Sequence, residues 1–467
     1  MRGAENIFGR RVGRPPVSSV QFPVASPTRQ QRRHELKIEK TITRRSLIKG
    51  SGAALAGMPY VLPSGILAQP GRPGPNDRIV YGHIGLGGMG RSHVVADSCA
   101  ALCDVDSNHL ADVAKSVKGK PLLTKDYREV LDRKDIDAVT IGTPDHWHAI
   151  MAVHACEAGK DVYSEKPTCK TIQEGQAMVA AAQAHKRVVQ IGAQGRSNPN
   201  AHKACEYIRN GQLGAVNHVE VWHVNNFTGG WGEEKAPPSE LDWDLWLGPA
   251  RWHPYNPDYV HFNFRWMMDF GGGFIRDRGN HVLSVAMWCM NADNIGPVSV
   301  EATGDPNPNG VWDVPVTMKV KWEFKNPDWT LTWDQPGAQY NGIEWGAKYH
   351  GDRDTLIVSG GDGGCDTEDK AKNYTPPASG QHTYLDPDPA GDPTERHRQN
   401  WRRCIKTREK PVMSVEIGYN TIILPIIANI SYQLQRKLRW DPVKHVFIGD
   451  EEANRFLAQP YRAPWHL

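Results

Sequence analysis

The stretch that decides the fold is Ile-Val-Tyr-Gly-His-Ile-Gly-Leu-Gly-Gly-Met-Gly, residues 79–90. Its first six residues are typical of a short β-strand, and the glycines that follow match the pattern G-x-G-x-x-G. In that pattern the first glycine allows a tight turn, the second lets the backbone approach a pyrophosphate, and the third allows a helix to pack closely on the strand. The loop residues expected to hold a dinucleotide are Gly85, Gly87, Gly88, Met89 and Gly90.

A carboxylate follows the glycine loop at the spacing expected in a dinucleotide-binding site. Residues 100–103 form a second apolar run that ends in Asp104, nineteen positions after Gly85. A carboxylate near this offset accepts hydrogen bonds from the adenosine ribose and repels a 2′-phosphate. We therefore predict NAD as the cofactor in preference to NADP, with Asp104 as the ribose ligand and Asp106 as the alternative.

Strands and helices alternate along the chain that follows. Residues 138–142 and 161–164 read as buried strands, and residues 149–158 between them read as a helix. Residues 188–191 form a further strand. This alternation predicts a Rossmann fold, a doubly wound parallel sheet with right-handed crossovers. Because ligands bind at the carboxyl ends of such strands, the segments that follow them are candidate binding loops.

The formal net charge of +3 hides an uneven distribution, since the first 49 residues hold 12 Lys or Arg against three Glu. The rest of the chain is mildly acidic, which argues against nucleic-acid binding because that needs a basic face. Arg44 and Arg45 precede a weakly apolar stretch over residues 50–68, which resembles a twin-arginine signal. We predict an exported, periplasmic protein without a stable membrane span unless the signal is retained. The alternative is a basic tail on a cytoplasmic protein.

Composition divides the chain into five segments: a disordered leader (1–40), the signal segment (41–68), a Pro- and Gly-rich linker (69–77), the NAD-binding domain (78–199) and a substrate-binding domain (200–467). In the last segment, alternating runs at residues 216–224 and 316–324 predict an open-faced, mainly antiparallel sheet. The fold class is therefore α/β plus α+β. Residues 415–438 predict a long helix that Pro425 should kink or interrupt.

The cysteines and the acidic loops indicate no metal site. None of the eight cysteines forms a C-x-x-C pair, so we expect most of them to be buried apolar residues. The stretch over residues 360–366 is rich in Gly and Asp but matches no calcium-loop spacing, and we interpret it as a solvated loop. By contrast, 15 of the 16 tryptophans lie beyond residue 200, which suits a pocket for sugar rings.

Four ordered motifs resemble those of the glucose-fructose oxidoreductase and inositol 2-dehydrogenase family, often called Gfo/Idh/MocA, in its exported twin-arginine subgroup. The resemblance covers nearly the whole chain beyond residue 78. The motifs are the glycine loop, Thr143-Pro144-Asp145-His146-Trp147-His148, Glu165-Lys166-Pro167 and Asp277-Arg278-Gly279-Asn280-His281.

The resemblance implies that Lys166 is catalytic and that Asp277 and His281 position a substrate hydroxyl and exchange its proton. Chemistry supports this independently, since hydride leaves carbon only as the hydroxyl proton is removed by a nearby base. Asp277 and His281 are four residues apart and share one face if helical. The alternatives are that Lys166 is a surface lysine and that Asp277 only caps the helix.

The same resemblance places further residues at the cofactor or the substrate. Thr143, Pro144, His148, Glu165 and Lys166 belong to the predicted cofactor site. Gln194 is expected near the nicotinamide and Arg196 near the substrate, with an ordinary loop as the alternative.

These expectations together predict an NAD-dependent oxidoreductase that acts on a hydroxyl-bearing carbon of a sugar or polyol, with NAD tightly retained. One alternative is a redox-neutral, NAD-dependent glycosidase. A second is a non-catalytic sugar-binding or regulatory protein on the same fold. Family members are often dimers or tetramers, so we expect a homo-oligomer.

Overall fold

The computed structural model of the protein describes residues 78–383 and 392–467. The predicted leader, signal and linker lie outside the described residues. Within the described residues, no helix is both long and apolar enough to cross a bilayer. All eight cysteines lie in this part of the chain as free thiols, and seven of them are buried, as expected.

The first half of the described chain forms a six-stranded parallel sheet with the strand order 3-2-1-4-5-6. This confirms the doubly wound sheet that the sequence predicts. Its strands are β1 (Tyr81–Ile84), β2 (Cys99–Cys103), β3 (Leu122–Thr124), β4 (Ala138–Ile141), β5 (Asp161–Glu165) and β6 (Val189–Gly192). Its helices are α1 (Ser107–Ala114), α2 (Tyr127–Asp132), α3 (Asp145–Glu157) and α4 (Ile172–Ala184).

The segment after the glycine loop differs from the expected helix. Only a single 3₁₀ turn, Gly90–His93, follows the loop before β2 begins at Cys99. The few residues between the loop and β2 leave no room for an α-helix of ordinary length. The N–H groups of the loop backbone are therefore the groups that can face a phosphate, in place of the N-terminus of an α-helix.

The second half forms a nine-stranded sheet with the order 13-12-11-7-10-9-8-14-15. Only β7 and β10 pair in parallel, so the prediction of a mainly antiparallel sheet is confirmed. Its strands are β7 (Val216–Trp222), β8 (Ser299–Thr303), β9 (Met318–Phe324), β10 (Trp329–Gln335), β11 (Gly346–Gly351), β12 (Thr355–Ser359), β13 (Asp366–Thr367), β14 (Leu438–Asp441) and β15 (Val446–Phe447). Burial alternates along β9 and β10, so one face of the sheet packs against the core.

The helices of this half pack against the second sheet and also contact the first half of the chain. They are α5 (Pro199–Arg209), α6 (Trp243–Leu247), α7 (Asp277–Cys289), α8 (Asp369–Lys372), α9 (Pro393–Thr407), α10 (Val415–Leu434) and α11 (Glu451–Asn454). Further 3₁₀ turns are Gln194–Ser197, Pro257–Tyr259, His261–Trp266, Tyr340–Gly342 and Arg455–Leu457.

Helix α10 corrects two details of the prediction. It continues through Pro425 without interruption and ends at Leu434, because Gln435 adopts a left-handed conformation with a φ of 51°. Residue 438 begins strand β14 instead of ending a helix. Pro425 is buried among apolar neighbours, so the packing of the helix offsets the hydrogen bond that a proline removes.

The end of the chain returns to the first sheet. Trp401 of α9 packs on Tyr81 and Tyr163, with ring centroids 5.9 and 5.5 Å apart. Trp465 lies edge-on to Trp147 with a centroid separation of 4.8 Å. Residues of the predicted substrate-binding segment therefore pack against the Rossmann half.

Candidate functional site

A cavity of about 520 Å³ opens at the carboxyl ends of the parallel strands, between the glycine loop and helix α7. Its position is the one expected for ligands in an open α/β sheet. The sequence-predicted residues that line it are Gly85, Gly87, Gly88, Met89, Asp104, Asp106, Thr143, Pro144, Glu165, Lys166, Asp277 and His281.

The glycine loop is held in a conformation that larger residues could not adopt. Gly85 has a φ of +77°, in the left-handed region that favours glycine. Gly90 packs under the loop, where a Cβ would lie 1.9 Å from Gly85 O. The N–H of Leu86 donates a hydrogen bond to Asp104 Oδ2 at 2.6 Å. Asp104 thus braces the loop as well as lining the cavity.

The glycine-loop end of the cavity contains a second carboxylate and two histidines. Asp106 Oδ1 caps helix α1, while its Oδ2 lies 3.4 Å from His261 Nε2. His109 Nδ1 lies 3.5 Å from Asp104 Oδ2. Ligand atoms of Asp106, His109 and His261 lie within 4.8 Å of one another, a spacing that could hold a metal ion. They occupy the position expected for the ribose, however, and the sequence predicts no metal.

Glu165 ends β5 and is buried beside Lys166. Its Oε1 accepts hydrogen bonds from His93 Nε2 at 2.9 Å and from Gln194 Nε2 at 3.1 Å. Arg398 Nη1 lies 3.3 Å from His93 Nδ1, and because a guanidinium only donates, His93 carries its proton on Nε2. Burial raises the pKa of Glu165, but the His93 hydrogen bond and the charge of Lys166 bring the pKa below its usual value. Glu165 is therefore a fixed anion.

His148 does not line the cavity but joins two of the loops that do. Its Nε2 lies 2.9 Å from Thr143 O, and its Nδ1 lies 2.7 Å from Pro167 O. The ring therefore sets the distance between the loops that follow β4 and β5. This is a positioning role, and it differs from the direct cofactor contact that the sequence suggests.

Gln194 and Arg196 also lie outside the lining of the cavity. The guanidinium of Arg196 donates hydrogen bonds to Asp293 Oδ2 at 2.9 Å and to Ser284 O at 2.7 Å. Because its terminal nitrogens are engaged behind α7, the structure does not bring Arg196 to the expected substrate position. Gln194 acts through Glu165, to which it donates a hydrogen bond.

Lys166 and Asp277 meet at the α7 end of the cavity. Lys166 Nζ donates a hydrogen bond to Asp277 Oδ1, and Arg265 Nε lies 3.0 Å from Asp277 Oδ2. Burial raises the pKa of Asp277, but the charges of Lys166 and Arg265 outweigh burial and hold the pKa well below its usual value. A carboxylate held so firmly as an anion is a poor base, so its role is to orient Lys166.

His281 lies one helical turn after Asp277 in α7. Burial, reinforced by the positive charge of Lys166, lowers the pKa of His281 to about 4. The imidazole is therefore neutral near pH 7, and among the described residues its Nδ1 has no hydrogen-bond partner. A neutral imidazole of this kind can accept a proton from a hydroxyl group.

Asp362 is a cavity residue that the sequence analysis missed. It lies between β12 and β13, and its charge raises the pKa of His281, against the effects of burial and Lys166. The neighbouring Gly361 packs against α7, where a Cβ would lie 2.7 Å from Val282 N. The loop over residues 360–366, interpreted as solvated, is instead fixed against the helix that carries His281.

Other missed residues surround the same end of the cavity. Arg278 lies inside the motif that contains Asp277 and His281, so its place in the sequence was a usable signal. Arg265 and Trp345 had no such signal, because they come from a 3₁₀ turn and a loop far away in the chain. The apolar part of the cavity lining includes Leu241, Leu245, Trp246, Phe262 and Trp465.

The fold and the site together define a two-domain protein in which a dinucleotide-type loop faces a lysine, a carboxylate and a histidine. One family model, the oxidoreductase family NAD-binding Rossmann fold, matches residues 79–193. Another, the oxidoreductase family C-terminal alpha/beta domain, matches residues 217–467, more than half of the chain. The protein belongs to the Gfo/Idh/MocA oxidoreductase family.

Curated relatives match part of the chain. It is 29% identical over 176 residues to levoglucosan dehydrogenase of Pseudarthrobacter phenanthrenivorans, covering 35% of this chain and 43% of that protein. It is 28% identical over 228 residues to alpha-N-acetylgalactosaminidase of Shewanella oneidensis, covering 41% of this chain and 50% of that protein. The chain thus spans half or less of the length of these relatives.

Solved structures share the fold. The WlbA dehydrogenase from Bordetella pertussis, in complex with NADH and UDP-GlcNAcA, superposes with a TM-score of 0.56 at 17% identity. The match covers 78% of this chain and 99% of that one. At this identity the likeness supports the two-domain architecture alone.

Proposed function

We propose that the protein is an NAD-dependent oxidoreductase that transfers hydride to or from a hydroxyl-bearing carbon of a sugar, polyol or related substrate. One observation carries the proposal: Lys166, Asp277 and the neutral His281 converge at one end of a cavity whose other end is the glycine loop. The sugar specificity draws support from the similar proteins, which include a levoglucosan dehydrogenase.

The residues present fit a dinucleotide. A Cβ at Gly90 would occupy the space under the loop, and the buried Thr143 Oγ1 has no partner among the described residues. The loop backbone would hold the pyrophosphate, and Asp104 with Asp106 would hold the adenosine ribose. Two carboxylates at that end disfavour a 2′-phosphate, which supports NAD over NADP. Bound NAD would supply the carbon that accepts or donates hydride.

The protein's own residues supply the proton chemistry. Asp277 holds the ammonium group of Lys166 in place, where it can donate a hydrogen bond to the substrate oxygen and polarise it. His281 accepts the hydroxyl proton, because its low pKa keeps it neutral and available as a base. Asp362 and Asp277 then stabilise the imidazolium that forms. In the reverse direction His281 returns the proton.

Asp362→Asn is expected to lower the pKa of His281 further, since a negative charge near the imidazolium is removed. The acid limb of the kcat/KM profile should move to lower pH, and kcat should fall about 3- to 10-fold because a weaker base accepts the proton less readily. Steady-state rates across the pH range measure both effects. The other groups that act on His281 are Lys166, Glu165 and Asp277.

A matched control is Asp369→Asn on helix α8, where the side chain is 89% exposed. It should leave the profile unchanged. If Asp362→Asn gives the same profile as the control, Asp362 has no part in the proton transfer.

We further propose that the protein is exported through the twin-arginine route with NAD already bound, because that route carries folded proteins. Protein purified from the periplasm and then denatured should release about one NAD per chain and no NADP. Trp465→Ala, which removes a buried indole from the cavity lining, should lower this content, whereas Trp252→Ala, at a tryptophan 66% exposed, should not. Periplasmic protein free of nicotinamide would contradict retention, and its absence from the periplasm would contradict export.

Product analysis separates this function from its alternatives. A dehydrogenase yields a ketone or lactone, whereas a redox-neutral glycosidase releases a sugar with no net change in NADH. Sugar binding without formation of either product would indicate the non-catalytic alternative. The ion pair between Lys166 and Asp277 favours the dehydrogenase, because it holds an ammonium group where it can polarise the substrate oxygen.

A further inference from the structure

Two half-exposed phenylalanines pack on one buried tryptophan, and one of them lines the cavity. Phe262, which lines the cavity, is 53% exposed, and Phe227 is 52% exposed. Both rings pack on the buried Trp266, with centroid separations of 6.1 Å for Phe262 and 5.1 Å for Phe227. We name this pair the aromatic shelf. Its rings share one rigid support, so their positions are fixed by the core.

Guanidinium groups connect the shelf with the reacting centre. Arg265 lies over Phe262 at 4.4 Å, and its Nε is also 3.0 Å from Asp277 Oδ2. On the other side, Arg278 lies over Phe274 at 5.3 Å, and Phe274 is 5.6 Å from Phe227.

Phe262 lines the cavity and Phe227 contacts the same Trp266, so the two rings connect the cavity lining with exposed surface. A molecule that places one hydroxyl at Asp277 and His281, and is longer than one ring, would lie across the shelf. Its polar edges would meet the donors of Arg265 and Arg278.

We propose that the aromatic shelf is a subsite for a second sugar ring, so that the preferred substrate is a glycoside or oligosaccharide that reacts at its terminal sugar. This rests on the proposed function. The apolar face of a pyranose packs on aromatic rings, while its hydroxyl groups accept hydrogen bonds from guanidinium groups. Two rings are too small a patch for a stable protein partner, which buries about 800 Å² on each side.

Kinetics with matched substrate pairs test the subsite. The pairs are glucose with cellobiose and maltose, galactose with lactose, and N-acetylglucosamine with chitobiose. NADH absorbance is followed with protein that has been stripped of its retained NAD and supplied with excess free NAD. For the pair that is turned over, the wild type should show a kcat/KM about tenfold or more higher for the glycoside. Phe227→Ala and Phe262→Ala should each lower this value for the glycoside about 5- to 20-fold more than for the free sugar. Phe456→Ala, at a phenylalanine 41% exposed that does not line the cavity, should change neither.

Other outcomes overturn the subsite in distinguishable ways. Equal kcat/KM for both members of the pair, or equal losses in the variants, would contradict a subsite for a second sugar ring. Neither result would contradict the proposed oxidoreductase function. A raised KM for NAD in either variant would show that the two phenylalanines contribute to cofactor binding instead. A change of molar mass in solution would assign them to contact with a second copy of the chain. No turnover of any pair would contradict the proposed function itself.

Discussion

Lys166→Ala is expected to lower kcat about 10³-fold or more while NAD binding stays within about threefold of the wild type. The ammonium group is the donor that polarises the substrate oxygen, and no other described lysine lines the α7 end of the cavity. Asp277 keeps Arg265 as a partner, so the variant does not leave an unpaired buried carboxylate. Stopped-flow measurement of NADH formation, together with calorimetric titration of NAD, separates chemistry from binding.

Two further variants make this result interpretable. Lys166→Arg keeps the charge but changes its reach and geometry, so it should keep the ion pair with Asp277 without restoring the rate. Lys115→Ala, at a lysine 75% exposed directly after helix α1, should behave as the wild type. Normal turnover in Lys166→Ala would refute the assignment of this residue.

Gly90→Ala is expected to abolish measurable NAD binding and to destabilise the fold by about 1–3 kcal/mol. The new Cβ would lie 1.9 Å from Gly85 O and 3.4 Å from Gly142 O, which are backbone atoms that cannot turn away. The glycine loop must therefore move, and with it the N–H groups that face the pyrophosphate. Thermal unfolding without NAD measures the stability, and fluorescence titration measures the affinity.

Gly88→Ala is the matched control for stability, because nothing lies within 4 Å of a Cβ at that position. Its unfolding temperature should equal that of the wild type. If Gly90→Ala and Gly88→Ala unfold alike and both bind NAD, the close packing under the loop has no energetic consequence.

The Rossmann half was predictable because its signals are local. The glycine pattern after a strand, the alternation of strands and helices, and the polar segments after β4 and β5 each arise from neighbouring residues in the chain. The same local logic placed Asp277 and His281 on one helix face. It failed at Pro425, which lies within a continuous helix because tertiary packing offsets the lost hydrogen bond. The 3₁₀ turn Gly90–His93 has a local cause, since too few residues separate the loop from β2 for a longer helix.

The sequence by itself determined the dinucleotide loop, the two kinds of sheet and the residue types of the proton chemistry. Only the tertiary structure decided that Arg196 pairs with Asp293 behind α7, that Asp362 and Arg265 join the site, and that His148 joins two loops. The reason is physical. Backbone patterns follow from short-range sterics and periodicity, whereas the partner of a charged side chain depends on which distant elements the folded core brings within a few ångströms.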